Sequence, residues 1–425
     1  MNDLKTMYDR IAEKETSVAV IGIGHIGLSV ALEFSKYYNV IAFDVSKERI
    51  ERLRRVYSDW KGSLTLTDSA ETLAQASCYI VVVGTPLDGQ MRPDLTQLTA
   101  ATRMVGSYLR RGDYVVYEST VYPGCTESEC VPLLEKTSGL VCGEDFKVGY
   151  SPERINPLDS SHAFCNTAKI VSGIDKQTTD ELVKIYRRAI RAEVHPASSI
   201  KVAEAAKIVE NVQRGVNIAL VNEISRLFSR MDIDLQQVLD MASTKWNFAD
   251  YRPGLLGGPC IPVNPYYLLS EAMRVGVDMP LVKQSCAVND RMAEYVVSSL
   301  LGKIDRRERP ALRALIMGIT YKDDSDDIRN KAVVDMYRAL SREGVQVDIT
   351  DPHADAKAVR DVYGIPLADA PCPPYDMIIV TVGHAEYKHL DEAYFLSIAA
   401  GDHAVLADLK GLFRGRINTL KYWSL

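Results

Sequence analysis

No Cys-x-x-Cys pair occurs among the eight cysteines (Cys78, Cys125, Cys130, Cys142, Cys165, Cys260, Cys286, Cys372), so the spacing of a zinc site or a redox dithiol is missing. No apolar run is long enough to span a bilayer: the longest, residues 18–34, is broken by three glycines and a histidine. Residues 1–17 are polar and of mixed charge, without the apolar centre of a secretory signal. A basic excess is also missing. Lys and Arg total 50 against 56 Asp and Glu, a net charge of −6, which disfavours nucleic acid as a partner. What remains is an ordinary globular composition, 47% hydrophobic and 25% charged over 425 residues. That length holds roughly three domains. The expectation is a cytoplasmic enzyme with reduced cysteines and no metal, membrane or nucleic-acid partner.

The chain then shows a repeating order. Residues 17–24, SVAVIGIG, form a short β-branched run ending in glycine, the pattern of a buried parallel strand. Residues 26–37 have helical spacing, and further strands are expected at 39–43, 77–83, 114–117, 147–149 and 170–172. Alternating strands and helices predict an α/β fold with a doubly wound, parallel, Rossmann-like sheet. From 199 to 231 no proline interrupts a period near 3.6, which predicts one long helix. Helical segments follow around 234–242, 265–275 and 280–301. The charged break RRERP at 306–310 precedes a second βαβ series, with strands at 314–318, 345–350, 377–382 and 404–408 and a helix at 331–342. The expected organisation is two Rossmann-like domains, 1–198 and 306–425, joined by a helical middle at 199–305.

Gly22-x-Gly24-x-x-Gly27 lies between a predicted strand and a predicted helix. The first glycine permits a tight turn, the second lets a pyrophosphate approach the backbone, and the third lets helix and strand pack. His25 and Ile26 open the helix whose N–H groups face the phosphates. Asp44 follows the first glycine by 22 residues and ends the next strand. A carboxylate there accepts the ribose hydroxyl protons and repels a 2′-phosphate, which selects NAD. Arg49 lies just beyond, either at the cofactor or as a solvated helix charge. Thr85-Pro86 and Glu118-Ser119-Thr120 follow later strands, at the edge where doubly wound sheets place ligands; the alternative is a pair of polar loop caps.

Cys260 lies in residues 254–262, GLLGGPCIP, where three glycines (Gly257 among them) and two prolines make a rigid loop open to close approach. A core cysteine needs no such setting, whereas an exposed nucleophile does. Lys207 and Asn211, four apart on the long helix, share a face otherwise made of small apolar residues. Asn222 lies further along. Glu153, beside Arg154 after a strand, suits a base or a sugar ligand. Lys322 and Arg329 flank the acidic run 323–327, DDSDD. They suit a phosphate or carboxylate, or else pair with those aspartates.

These motifs, taken in order (GxGxxG, VxTP, YESTVYPG, YSPERINP, KxxENxxRxxNIALxNE, KWNF, RPGLLGGxCIPVxPYYL and GxTYKxxxxDxR), resemble the nucleotide-sugar 6-dehydrogenases. The match is strongest to the UDP-N-acetylhexosamine branch serving capsule and O-antigen synthesis. The resemblance implies an N-terminal NAD domain, a helical middle that forms a homodimer, and a C-terminal UDP-binding domain. It implies oxidation of the sugar C6 alcohol to a carboxylate with two NAD. Cys260 becomes the nucleophile; Thr120, Glu153, Lys207 and Asn211 fall on catalytic positions, and Lys322 on a UDP-sugar contact. Arg252 and Arg329 match arginines near the substrate.

Two residues depart from that pattern. Where the family has GGHCIPVDPYYL, this chain has GGPCIPVNPYYL, with Pro259 and Asn264. Asn264 keeps an acceptor oxygen but loses the charge, so any base role passes to Glu153 or water, and a neighbouring Lys207 would lose an anionic partner and titrate lower. A slower enzyme is expected. A binding protein for nucleotide sugar and NAD with impaired catalysis is the alternative; a one-step hydroxyacid dehydrogenase, needing no cysteine, is a third.

Overall fold

The computed structural model describes residues 5–154, 163–307 and 311–425. They fall into two compact units: Met1–Glu210 with Tyr266–Val277, and Asn211–Pro265 with Asp278–Leu425. The boundary lies within the long helix Ile200–Ser229, which matches the uninterrupted periodicity of the sequence.

The first unit is built on eight strands: β1 (Ser17–Ile21), β2 (Val40–Phe43), β3 (Leu64–Thr67), β4 (Ala76–Val81), β5 (Tyr114–Tyr117), β6 (Lys147–Tyr150), β7 (Lys169–Gly173) and β8 (Val194–Pro196). Their order is β3-β2-β1-β4-β5-β6-β7-β8, so the chain runs one way from β1 and then returns to the other side at β4. That switch point opens a crevice at the carboxyl ends of the two strands. The central strands β1, β2, β4 and β5 are almost wholly buried because both faces are covered, whereas the edge strands β3 and β8 are partly exposed. Val18, Val20, Ile80 and Val116 enter one core, while Ala19, Ile21, Tyr79, Val81, Val115 and Tyr117 enter the other.

One pair departs from the all-parallel expectation: β6 and β7 run antiparallel. A parallel pair needs a crossover, usually helical, whereas the described part of this connection holds only the short turn Phe164–Asn166. The last three residues of the YSPERINP motif lie outside the described residues.

The second unit carries β9 (Arg313–Met317), β10 (Gln346–Thr350), β11 (Met377–Val380), β12 (Val405–Asp408) and β13 (Lys421–Trp423), all parallel in the order β10-β9-β11-β12-β13. Its switch point lies between β9 and β11. Asp234 caps the helix Leu235–Ala242 by accepting from the amides of Gln236 and Gln237. The helical segment expected at 280–301 is two helices, Pro280–Asp290 and Met292–Leu301, parted at Arg291. Residues 308–310 of the RRERP break lie outside the described residues. Among the described residues no helix is long and apolar enough to cross a membrane.

Candidate active site

In the first unit the glycine turn has the geometry its spacing predicts. Gly22 has φ +93°, and a Cβ there would lie 2.8 Å from the Val82 carbonyl oxygen. A Cβ on Gly27 would stand 1.9 Å from the Gly22 oxygen, so helix and turn meet with no room for a side chain. Gly24, which caps the helix His25–Ser35, has nothing within 4 Å of its Cβ position. The middle glycine thus faces open space where a pyrophosphate can meet the backbone, and His25 and Ile26 begin the helix beside it. Asp44 is buried at the end of β2 and accepts from the Ile23 and Ser46 amides, each at 2.9 Å. Arg49 donates to the same carboxylate at 2.8 Å while its side chain stays 43% exposed, so it is a surface helix charge that is also paired with Asp44. These residues fit an NAD adenosine and its pyrophosphate.

At the next strand ends, Thr85 Oγ1 donates to the Thr120 carbonyl at 2.7 Å, and Tyr267 donates to the Thr85 carbonyl at 2.8 Å. Pro86 is exposed beside them. Lys207, 3% exposed, donates to the Glu153 carbonyl at 2.5 Å and lies 3.4 Å from its carboxylate. The lysine therefore has an anionic partner in Glu153. Arg154 is ion-paired with Glu210 at 2.5 Å. Glu204, fully buried on the long helix, accepts from the amides of Gly124 at 2.5 Å and Thr126 at 2.9 Å, holding the loop that leaves Thr120. Burial outweighs those hydrogen bonds and raises its carboxyl above the ordinary range. Sequence reading missed Glu204; a glutamate among small apolar residues of a buried helix was its only signal.

In the second unit Cys260 is half-buried, unlike most of the other cysteines. Its loop is docked on the segment after β9. The Gly258 amide donates to the Arg329 carbonyl at 2.8 Å. A Cβ on Gly257 would meet Asn330 Oδ1 at 2.7 Å, and one on Gly258, where φ is +83°, would meet the Tyr321 ring at 2.7 Å. The glycines flanking the cysteine are thus required by packing. Upstream, Asn222 is fully buried; its side chain donates to the Gly254 carbonyl at 3.1 Å and accepts from the Gly254 amide at 2.9 Å. Asn222 therefore anchors the start of the cysteine loop.

Asn264 opens the helix Asn264–Arg274, and its amide donates to the Cys260 carbonyl at 2.9 Å. Asn211 Nδ2 donates to Asn264 Oδ1 at 2.6 Å, while Asn211 Oδ1 is buried without a protein partner. An acceptor left open in this way suits a ligand donor. Asp327 accepts from Nε and one terminal nitrogen of Arg329, and that hydrogen-bonded pairing raises the guanidinium's pKa. The pairing with the acidic run is therefore real. Lys322 lies in the same loop, whose Thr320 hydroxyl donates to the Lys322 carbonyl at 3.2 Å. Arg252 is held by Asp240 at 2.9 Å and Asp250 at 2.7 Å.

At the carboxyl edge of the second sheet Asp324, His353, His384 and Glu386 cluster within 4.8 Å. His384 Nδ1 accepts the Asp324 amide at 2.9 Å, and Asp324 accepts the Ala385 amide at 2.8 Å, so these atoms serve local structure.

Comparison with known proteins covers both units. Residues 16–190, 201–291 and 315–415 match the NAD binding, central and UDP binding domains of the UDP-glucose/GDP-mannose dehydrogenase family. A UDP-N-acetyl-D-glucosamine 6-dehydrogenase of Pseudomonas aeruginosa is 43% identical over 94% of this chain and 97% of its own. One of Salmonella typhi is 42% identical over 93% and 96%. The structure of a UDP-D-ManNAc dehydrogenase from Pyrococcus horikoshii superposes with a TM-score of 0.85 at 28% identity, covering 96% of this chain and 98% of that one.

Proposed function

This chain belongs to the UDP-glucose/GDP-mannose dehydrogenase family, and from that premise we propose that it oxidises C6 of a UDP-N-acetylhexosamine, UDP-N-acetyl-D-glucosamine foremost, to the uronic acid. It is an NAD-dependent dehydrogenase whose first segment is the family's NAD binding domain. The functional division we propose is 1–198 for NAD, 199–305 for dimerisation and 306–425 for UDP. The observation that carries the reading is the half-buried Cys260 on a glycine loop hydrogen-bonded to the UDP-binding segment at Arg329.

NAD, held at the Gly22–Gly27 turn and Asp44, supplies the hydride acceptor for both oxidations. The residues of the chain do the rest. In the first oxidation C6 loses a hydride and its hydroxyl loses a proton to water, leaving the aldehyde, while Lys207 and Asn211 donate to the oxygen as negative charge develops there. The Cys260 thiolate adds to the C6 aldehyde carbon, and the resulting alkoxide takes a proton to give a thiohemiacetal. Loss of hydride from that carbon, with the hydroxyl proton, leaves a thioester. Water, its proton taken by Glu153, then cleaves the C–S bond and releases the carboxylate and the thiol. A covalent adduct keeps the aldehyde from escaping between the two oxidations. Thr120 lines this chemistry from the strand edge, Lys322 serves as the UDP-sugar contact, and Arg252 and Arg329 lie near the substrate. The impaired-binder alternative rests on Asn264 and Pro259; Asn264 still accepts from Asn211, so that substitution removes a charge and leaves the contact.

We read the protein as a cytoplasmic homodimer making precursors for capsule or O-antigen. Leu220, Leu227, Met241 and Trp246 of the second unit are exposed, and an apolar face of this kind suits a second copy. The test is a panel of UDP-sugars with NADH followed to completion. Two NADH per UDP-N-acetylhexosamine are expected, with Cys260→Ala lowering acid formation by at least about 10³-fold. One NADH per sugar, or an unaffected Cys260→Ala, refutes the reading.

A further inference from the structure

Three polar side chains meet deep in the first unit, and no step of the oxidation uses them. Lys169 Nζ lies 2.7 Å from Glu118 Oε2, with the two side chains 3% and 0% exposed. Tyr186, fully buried, donates its hydroxyl to Glu118 Oε1 at 2.5 Å. The ammonium also lies 5.1 Å from the Phe164 ring centroid and 5.5 Å from that of Tyr186, and it donates to the Ser151 carbonyl at 3.4 Å. Burial, reinforced by the Glu118 charge, holds the Tyr186 hydroxyl well above the ordinary phenol range, so it stays a donor.

Stability is a weak reason for this arrangement. Burying two charges costs desolvation that their attraction often fails to return, and apolar substitutes of similar volume are often as stable or more so. Location offers a better reason. Glu118 stands two residues before Thr120, and Ser151 stands two residues before Glu153. One ammonium therefore ties the stem of the Thr120 loop to the stem of the Glu153 segment. Weaker neutral bonds join the same two segments: the Ser151 amide to the Tyr117 carbonyl at 2.9 Å, and the Tyr150 hydroxyl to the Ser119 carbonyl at 3.2 Å. Lys169 comes from β7, the antiparallel strand, whose Ile170 carbonyl accepts from the Ser151 hydroxyl at 2.8 Å.

We propose that Glu118, Lys169 and Tyr186 are positioning residues, a buried charged clamp that fixes the separation of Thr120 and Glu153 and thereby sets kcat without touching substrate or cofactor. The proposal rests on the reading that Thr120 and Glu153 serve the oxidation. A misplacement of about 1 Å can cost up to about a hundredfold in rate, so the clamp has leverage on turnover out of proportion to its effect on folding.

The test uses the full-length enzyme, UDP-N-acetylglucosamine and NAD. The double variant Glu118→Gln/Lys169→Met removes both charges together and leaves neither one unpaired. It is expected to melt close to the parent while kcat falls at least about tenfold, with KM for both substrates little changed. Tyr186→Phe keeps both charges and deletes one hydrogen bond; its kcat is expected to fall several-fold at an unchanged melting temperature. The clamp is refuted if both variants turn over at the parent rate, or if their lost activity tracks lost folded protein. Should the double variant fail to fold, parent kcat in Tyr186→Phe refutes it alone. A parent that forms no NADH overturns the underlying reading, whereas an active parent with indifferent variants overturns only the clamp.

Discussion

Asn264 is, with Pro259, one of two departures from the motif that the resemblance implies around Cys260. Asn264 is 1% exposed and accepts from Asn211 at 2.6 Å, so an aspartate there would keep that bond and add a buried negative charge. Asn264→Asp should raise turnover. Burial disfavours the charged form and lifts a carboxyl's pKa, so the gain should grow as pH rises through the lifted value. A pH profile of kcat for the two enzymes checks this, and no gain at any pH contradicts it. The candidate nucleophile and the proposed Lys207 and Asn211 positions could be singled out because a glycine-proline loop and a four-residue helical spacing are local signals. Their partners were not. Nothing in the sequence around Lys207 marks Glu153, 54 residues away, as its carboxylate.

At the scale of elements, the βα turn makes two opposite predictions from two glycines. Gly27→Ala forces a methyl to within 1.9 Å of the Gly22 oxygen and should destabilise the first unit severely, visible as a large fall in melting temperature. Gly24→Ala meets nothing within 4 Å. It should fold like the parent yet raise KM for NAD, because the methyl occupies the approach of the pyrophosphate. The start of β5 carries a pH-dependent cost. Asp113 is buried beside Arg110, and burial, outweighing the Arg110 amide bond at 2.9 Å, pushes its carboxyl up to about 6. The folded state thus holds this proton more tightly than the unfolded chain, where the value is about 3.9. The resulting stability is complete below about pH 4 and is lost as pH rises through about 6. Asp113→Asn should therefore stabilise the protein near pH 7, on the order of 2 kcal/mol, with the difference vanishing towards pH 4 in paired melting curves.

For the whole molecule, the exposed apolar side chains of the second unit predict assembly. Leu220→Lys with Leu227→Lys, two residues seven apart on one face of the long helix, should convert a dimer to a monomer in sedimentation experiments. An unchanged mass would place the interface elsewhere. Two doubly wound sheets, the long helix and the glycine turn follow from the sequence alone, because strand and helix periodicities and turn chemistry operate over a few residues and survive without knowledge of what packs against them. The antiparallel course of β7, the meeting of Glu118 with Lys169, and the hold of Glu204 on Gly124 were decided only in the folded chain. Each depends on which elements become neighbours: β7 pairs with a strand some 20 residues back, whereas the two buried carboxylates are satisfied by groups 51 and 80 residues away.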